Sequence, residues 1–368
     1  MKITCNKLLL IEAVSHAAKA VSQKSSIPAL EGVLLTAEDN VLSITGYDLE
    51  MGVEAKIEAD VAESGKIVLA ARMFLEIVRK LPEEVVSITV DSKQNVTVKS
   101  GRFEMAIMGI DSSEFPVIPS VTSEKKLVLK QSILKDMIRQ TSYAVSQVET
   151  RPVLTGALFD VKDNLLKLVA VDGYRLSMRN EEIENNCEQK EFSFVVPGKT
   201  LNEMNKILRE DDSEIIMYVS EKHVMFEFDN IMMISRLKEG EFIDYNKSLV
   251  TESKIFVTIN RMKFIDSVER ASLLISEKIK TPIKFKFAFD TLKVHSESTL
   301  GNISDEIACT LSGDAIEIGF NGKYICEALK NCDEEEIILE LSAPLSPMLI
   351  KPVESKKFVY LIVPMRYN

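Results

Sequence analysis

Apolar residues at three- and four-residue spacing alternate along this chain with strictly alternating stretches, and the alternation repeats. A short strand, Ile3–Cys5, leads into a helix over Lys7–Val21. The same pair returns as Leu127–Leu129 with Gln131–Val145, and again as Phe256–Ile259 with Arg261–Ile275. Each helix is followed by alternating strands. Lys284-Phe285-Lys286-Phe287-Ala288-Phe289 is expected to put three aromatics on one face. Hairpin turns are expected at Asp39-Asn40, Asp163-Asn164 and Asp290-Thr291. A second helix then spans Arg72–Leu81, Lys199–Leu208 or Lys323–Leu329.

The repetition extends to identities. A shift of 124 residues lays Ala20-Val21-Ser22-Gln23 on Ala144-Val145-Ser146-Gln147, Pro28 on Pro152, Leu30 on Leu154 and Asp48 on Asp172. Beyond that point Leu49, Met51, Leu81 and Glu114-Phe115 match Leu176, Met178, Leu208 and Glu241-Phe242 at a shift of 127. The three extra residues are most simply placed at Gly173-Tyr174-Arg175. A third copy shows in Gly322-Lys323-x-x-x-Glu327-x-x-Lys330, which repeats Gly198-Lys199-x-x-x-Glu203-x-x-Lys206 and Arg72-x-x-x-Glu76-x-x-Arg79. Three domains are expected, at 1–122, 123–250 and 251–368, joined by polar linkers at Pro119–Glu124 and Ser248–Ser253. Each is an α+β unit with two helices on one side of antiparallel sheet.

Charge sharpens the picture. The chain of 368 residues carries a net −11. The helical segments 6–25, 72–82, 130–147, 198–209 and 261–280 are each +2 and segment 322–332 is +1, so together they hold +11 and the remainder −22. Acidic runs at Glu83-Glu84, Glu210–Asp212 and Asp333–Glu336 belong in turns, because carboxylates are unfavourable at a helix C-terminus. In the second helices a basic residue recurs after seven, so both lie on one face. Each such face alone reads as a solvated, salt-bridged surface. Six together, lining one concave surface, would attract phosphates without reading base sequence.

Motif chemistry is sparse. Five scattered cysteines argue against a disulfide framework. His16, His223 and His295 lie in different segments, with no Cys-x-x-Cys or His-x-x-x-His, so no metal site is expected. No nucleotide loop or Gly-x-Ser-x-Gly is present, and no cofactor is expected. No apolar run reaches membrane-helix length, and Met1-Lys2-Ile3-Thr4-Cys5 does not read as a signal peptide. The residues alone favour a scaffold over a catalyst. They leave open a repeat-built adaptor that binds proteins but not DNA, and a hydrolase built on scattered carboxylates has no positive signal.

Four stretches carry a family resemblance: Ile44–Met51, Val171–Leu176, Ile318–Asn321 with Tyr324, and the tail Val363-Pro364-Met365-Arg366. In their order on a three-copy chain they resemble the bacterial DNA polymerase III beta subunits, the sliding clamps. The resemblance implies a non-catalytic cytoplasmic homodimer, a ring around duplex DNA with helices inside and sheets outside. It implies joints near Met105 and Ile107 on one side and Leu273 and Leu274 on the other, although these four also fit an ordinary core. DNA contacts carried over are Lys24, Arg72, Arg79, Gln147 and Lys199, and the repeat adds Lys206, Lys323 and Lys330. A partner-peptide pocket is implied at Arg151, Leu154, Gly173, Tyr174, Arg175, Leu176, Ile243, Lys247, Asn321, Tyr324, Val363, Pro364, Met365 and Arg366. It would serve the replicative polymerase, the clamp loader, repair polymerases, mismatch repair proteins and ligase. The chain departs from the family at Pro152-Val153, at Ile243 and in ending two residues past Arg366.

Overall fold

The computed structural model describes residues 1–122, 125–185, 187–249, 252–275 and 281–367. Parts of both expected linkers, the last residues of the 261–280 charge segment and Asn368 fall outside the described residues. Seven α-helices lie among the described ones: α1 (Lys7–Ala17), α2 (Ala71–Arg79), α3 (Gln131–Ser142), α4 (Gly198–Asn205), α5 (Tyr245–Leu249), α6 (Arg261–Ser272) and α7 (Gly322–Lys330). The six expected helices are present. α1, α2, α3 and α6 stop earlier than periodicity suggested, because the chain tightens at their ends into i to i+3 bonds such as Val145 N–H to the Ser142 carbonyl, and α4 stops earlier too, at Asn205. The short α5 was not anticipated.

Two compact units form, and they do not follow the repeat. The first comprises residues 1–132, 184–189 and 206–237, and the second 133–183, 190–205 and 238–368, so the central copy contributes to both. The first unit is built on a thirteen-stranded antiparallel sheet. Its first-copy strand Met51–Glu63 pairs with the central copy's Ile231–Arg236, with Gly52 opposite Ile234. At one edge lies Phe103–Met108. α1 buries Leu10, Ala13, Val14 and Ala17, a stripe at helical spacing.

The second unit holds a nine-stranded and a four-stranded sheet. The central copy's Arg175–Glu182 pairs with the third copy's Phe358–Ile362, with Ser177 opposite Tyr360. The same joint is thus made once in each unit, by equivalent strands. The four-stranded sheet ends in Gly301–Ala308 on one side and Ile316–Phe320 on the other. The core behind it is aromatic: Phe264, Phe285, Phe287 and Phe320 are fully buried. Phe289 is not the third aromatic of that face. Its strand ends at Ala288, and Phe289 and Asp290 both take positive φ in a two-residue turn that leaves Phe289 97% exposed.

The first helix of each copy starts in the same way. The N–H groups of Lys7, Gln131 and Arg261 donate to the carbonyls of Glu84, Ser213 and Glu335 at 2.7, 2.8 and 2.8 Å. Lys7 Nζ reaches the Leu81 carbonyl and Arg261 Nη1 the Leu329 carbonyl, cations on the orphan carbonyls at second-helix ends. Glu83, Glu84, Glu210, Asp211, Asp212 and Asp333–Glu335 lie in the turns or loops expected, and Glu336 opens a strand.

The register slip is not where identities suggested. Asp48 Oδ1 accepts from the N–H groups of Glu50 and Met51, and Asp172 Oδ1 accepts from those of Tyr174 and Arg175. The turns therefore correspond at a shift of 124, with Leu49, Glu50 and Met51 matching Gly173, Tyr174 and Arg175. That shift persists to Val61 opposite Ile3 and Asn185 opposite Leu127. Next come Gly65 opposite Ala37 and Phe192 opposite Val161, a shift of 127 on the outer strand. Between these points residues 62–64 of the first copy are replaced by 186–191. Gly173-Tyr174-Arg175 is a substitution in a shared turn, not an insertion. The matches of Leu49 and Met51 to Leu176 and Met178 were coincidences of an apolar strand.

Candidate functional site

The side chains expected to meet phosphates are on the surface. Lys24, Arg72, Arg79, Gln147, Lys199, Lys206, Lys323 and Lys330 are all exposed. Arg72 and Arg79 lie at opposite ends of α2, and Lys323 and Lys330 at opposite ends of α7. α4 ends at Asn205, so Lys206 stands one residue beyond it. Arg79 pairs with Glu76 at 3.2 Å and Lys330 with Glu269 of α6 at 2.6 Å. Such exposed pairs are weak, so a polyanion can displace them.

Met105 and Ile107 lie on the edge strand Phe103–Met108 and are half-buried, between Phe103 at 43% and Met108 at 67% exposed. Leu273, just past α6, is 78% exposed, and Leu274 is half-buried. None of the four is a core residue of the protomer. An edge strand with this much apolar side chain is a template for pairing with another chain.

The remaining residues converge in the second unit. Gly173 takes φ +92°, and an added Cβ there would meet nothing within 4 Å, so conformation and not space asks for glycine. Tyr174 follows it, 61% exposed, and its ring stacks on Tyr324 of α7 with centroids 6.2 Å apart and planes 22° apart. The tail meets this turn directly: Val363 N–H donates to the Tyr174 carbonyl at 2.9 Å and Met365 N–H to the Gly319 carbonyl at 2.8 Å. Beneath lies an apolar floor that includes Val171, Leu176, Met178, Val195, Leu349 and Leu361. Val153 and Ile243 both pack on that floor, so these two departures keep it apolar. Pro152 opens a 3-10 turn over Pro152–Thr155, in which Leu154 is buried. Arg151 is exposed at its start, and Lys247 on α5 is exposed and paired with Asp244 at 3.0 Å. Asn321 caps α7, its side chain accepting from Lys323 N–H at 3.0 Å. Pro364 is half-buried and Arg366 exposed.

Arg175 is placed differently from its neighbours. Its side chain is only 10% exposed. Nε donates to Asp172 at 2.9 Å, Nη1 to Glu327 of α7, and Nη2 to the Tyr143 carbonyl at 2.6 Å. Burial works against its charge, but Glu327 and Asp172 outweigh that and hold its pKa above the ordinary arginine value. Tyr143, Glu327, Asp172 and Leu349 were not among the residues expected here. The repeated Glu at the middle of the second-helix motif was the signal that could have drawn attention to Glu327.

Family models for the DNA polymerase III beta subunit match the chain three times: the N-terminal domain at 1–119, the central domain at 128–244 and the C-terminal domain at 247–366. The chain belongs to the DNA polymerase III beta subunit family. The beta sliding clamp of Halalkalibacterium halodurans is 34% identical over the whole of both chains. That of Staphylococcus epidermidis is 32% identical over all of this chain and 99% of its own. The DNA polymerase sliding clamp of Bacillus subtilis superposes with a TM-score of 0.97 at 32% identity, all of both chains being covered. A putative beta subunit from Eubacterium rectale superposes at 0.95 with 35% identity, again over both whole chains. The three-domain clamp fold and the clamp function in DNA replication follow from this membership. So does the character of a processivity factor and not a catalyst. No helix among the described residues is long and apolar enough to cross a membrane.

Proposed function

We propose that two copies of this sliding clamp join head to tail into a ring around duplex DNA, each protomer offering one pocket to replication partners. On this reading the domains run over 1–122, 123–250 and 251–368. The joints bring the edge strand carrying Met105 and Ile107 of one copy to Leu273, Leu274 and the exposed edge strand Gly301–Ala308 of the next. Two identical heterologous joints close a ring. Lys24, Arg72, Arg79, Gln147, Lys199, Lys206, Lys323 and Lys330 face the DNA as a weak, sequence-blind set of phosphate contacts. Weak contacts suit a protein held on DNA by topology, since tight ones would hinder sliding. The clamp loader opens the ring, because the sequence carries no nucleotide loop of its own. The replicative polymerase, repair polymerases, mismatch repair proteins and ligase dock through short segments, in the cytoplasm.

The observation that carries the partner site is the meeting of turn and tail. The Tyr174 carbonyl takes the Val363 N–H at 2.9 Å, above the apolar floor of Leu176, Leu349 and Leu361. Apolar anchors of a peptide enter there, while Tyr174, Arg151, Lys247 and the tail through Arg366 form the rim. Tyr174→Ala and Met365→Ala should each weaken binding of polymerase-derived peptides by about 10-fold, the scale of an interface anchor. Sedimentation should still show a dimer. Unchanged peptide affinity in both variants would remove the assignment.

A further inference from the structure

In the second helices a glutamate recurs between two basic residues, as Glu76, Glu203 and Glu327. In α2 it does the ordinary thing, and Glu76 pairs with Arg79 on its own helix at 3.2 Å. In α7 it is diverted. Glu327 holds the guanidinium of Arg175, which comes from the central copy's turn. That guanidinium is enclosed. Its carbon lies 4.6 Å from the centre of the Tyr324 ring and 5.3 Å from that of Tyr143. Asp172, which shapes the turn by accepting from the N–H groups of Tyr174 and Arg175, also takes the Arg175 Nε–H. Tyr324, whose ring packs against Arg175, also stacks on Tyr174.

We propose that Arg175 and Glu327 form a latch that positions the two tyrosines at the pocket mouth, Arg175 acting through Tyr174 and Tyr324 without touching the bound peptide. The proposal rests on the pocket reading above and assigns roles within it. A guanidinium 10% exposed, with Nε and both terminal nitrogens donating, has little left to give a ligand. It has much to give the turn. A planar fork satisfies Asp172, Glu327 and a carbonyl at once while presenting flat faces to aromatic rings, which lysine cannot do. The first copy shows the turn without the latch. There Glu50 and Met51 occupy the places of Tyr174 and Arg175, on the same Asp-centred turn. The latch, and not an insertion, is what separates the central turn from its counterpart. It also leaves α7 without its internal Glu partner, and Lys330 turns to Glu269 of α6.

The test uses the full-length dimer and, as probe, the tightest binder among overlapping fluorescein-labelled peptides tiling the replicative polymerase. Glu327→Gln keeps shape but removes the charge that holds Arg175. Peptide affinity is expected to fall by about 10-fold, the scale of one lost charge-assisted hydrogen bond. Arg175→Lys supplies a second variant that keeps the charge and loses the fork, with the same loss expected. The chain has no tryptophan, so Tyr174→Trp gives a single reporter on the Tyr324 ring. Adding Glu327→Gln to it should raise acrylamide quenching and lower anisotropy in the free protein, an effect that a general loss of stability would not produce below the melting transition. Wild-type affinity in both Glu327→Gln and Arg175→Lys, with Tyr174→Ala still weakened, overturns the latch and leaves the pocket standing. Wild-type affinity in Tyr174→Ala overturns the latch, and wild-type affinity in Tyr174→Ala and Met365→Ala alike overturns the pocket with it.

Discussion

The backbone N–H of Met365 donates to the carbonyl of Gly319 at 2.8 Å, and this bond lays the tail along the edge strand Ile316–Phe320. Gly319 permits the approach. A Cβ there would come within 2.6 Å of the Tyr367 ring and 3.0 Å of the Met365 carbonyl oxygen. Tyr367, one of the two residues beyond Arg366, is thereby part of the anchor. Its hydroxyl reaches Glu317 at 3.3 Å and Lys284 Nζ lies 4.8 Å from its ring centre. Gly319→Ala should push the tail off and weaken partner-peptide binding several-fold. Because the collision is with Tyr367 and the Met365 carbonyl and not with the core, the melting temperature should move by less than about 4 °C, the shift of roughly 1 kcal/mol. In a Tyr367→Ala background the same substitution should cost less. Equal costs in both backgrounds, by fluorescence anisotropy, would remove Tyr367 from the anchor.

Leu273 is 78% exposed in the protomer, so a change there cannot disturb the core. Leu273→Asp should leave protomer stability within about 0.5 kcal/mol of the wild type, as for a surface substitution. In the ring the same carboxylate would be buried without a partner. That costs about 3–5 kcal/mol, a rise in dimer dissociation constant of more than about 100-fold. Analytical ultracentrifugation should find monomers at micromolar concentration. A dimer of unchanged affinity would move the joint elsewhere.

Two histidines set an acid-side prediction. Burial lowers the pKa of His16 against the opposing Glu12, 3.6 Å away, and Nδ1 of His16 has no hydrogen-bond partner among the described residues. Burial also lowers that of His223, with Arg236 and Lys222 adding to it. As pH falls through the ordinary histidine value near 6.5, the unfolded chain takes protons before the folded one. Stability is therefore level above that value and is lost as pH drops from it toward the lower folded values. Urea midpoints between pH 7 and 5 should fall for the wild type and be flatter for His16→Gln combined with His223→Gln. An identical slope in the double variant would contradict the assignment.

Local chemistry was the legible part of this chain. The three copies, the six helix positions and the Asp39-Asn40 hairpin could be read because apolar period and turn residues act over a few neighbours. What required the structure was pairing at long range. Strands of different copies share one sheet, as Gly52 with Ile234 and Ser177 with Tyr360 do, so the compact units cut through the central copy. The register slip was misplaced because Leu and Met recur in any apolar strand, whereas the Asp48 and Asp172 turns are fixed by hydrogen bonds. Arg175 read as a pocket residue from the family motif. Its burial depends on Glu327, 152 residues away, and on Tyr143, which no local pattern marked.

Encirclement is the central claim, and topology tests it without reference to affinity. The protein is loaded on a nicked circular duplex with its clamp loader and ATP, and the circle is then cut once. A ring should stay on the closed circle through a salt wash that breaks phosphate contacts, and should run off the linear product when its ends are free. Blocking both ends should restore retention. Retention on linear DNA with open ends, or loss from the uncut circle under the same wash, would contradict a ring and favour an ordinary electrostatic binder.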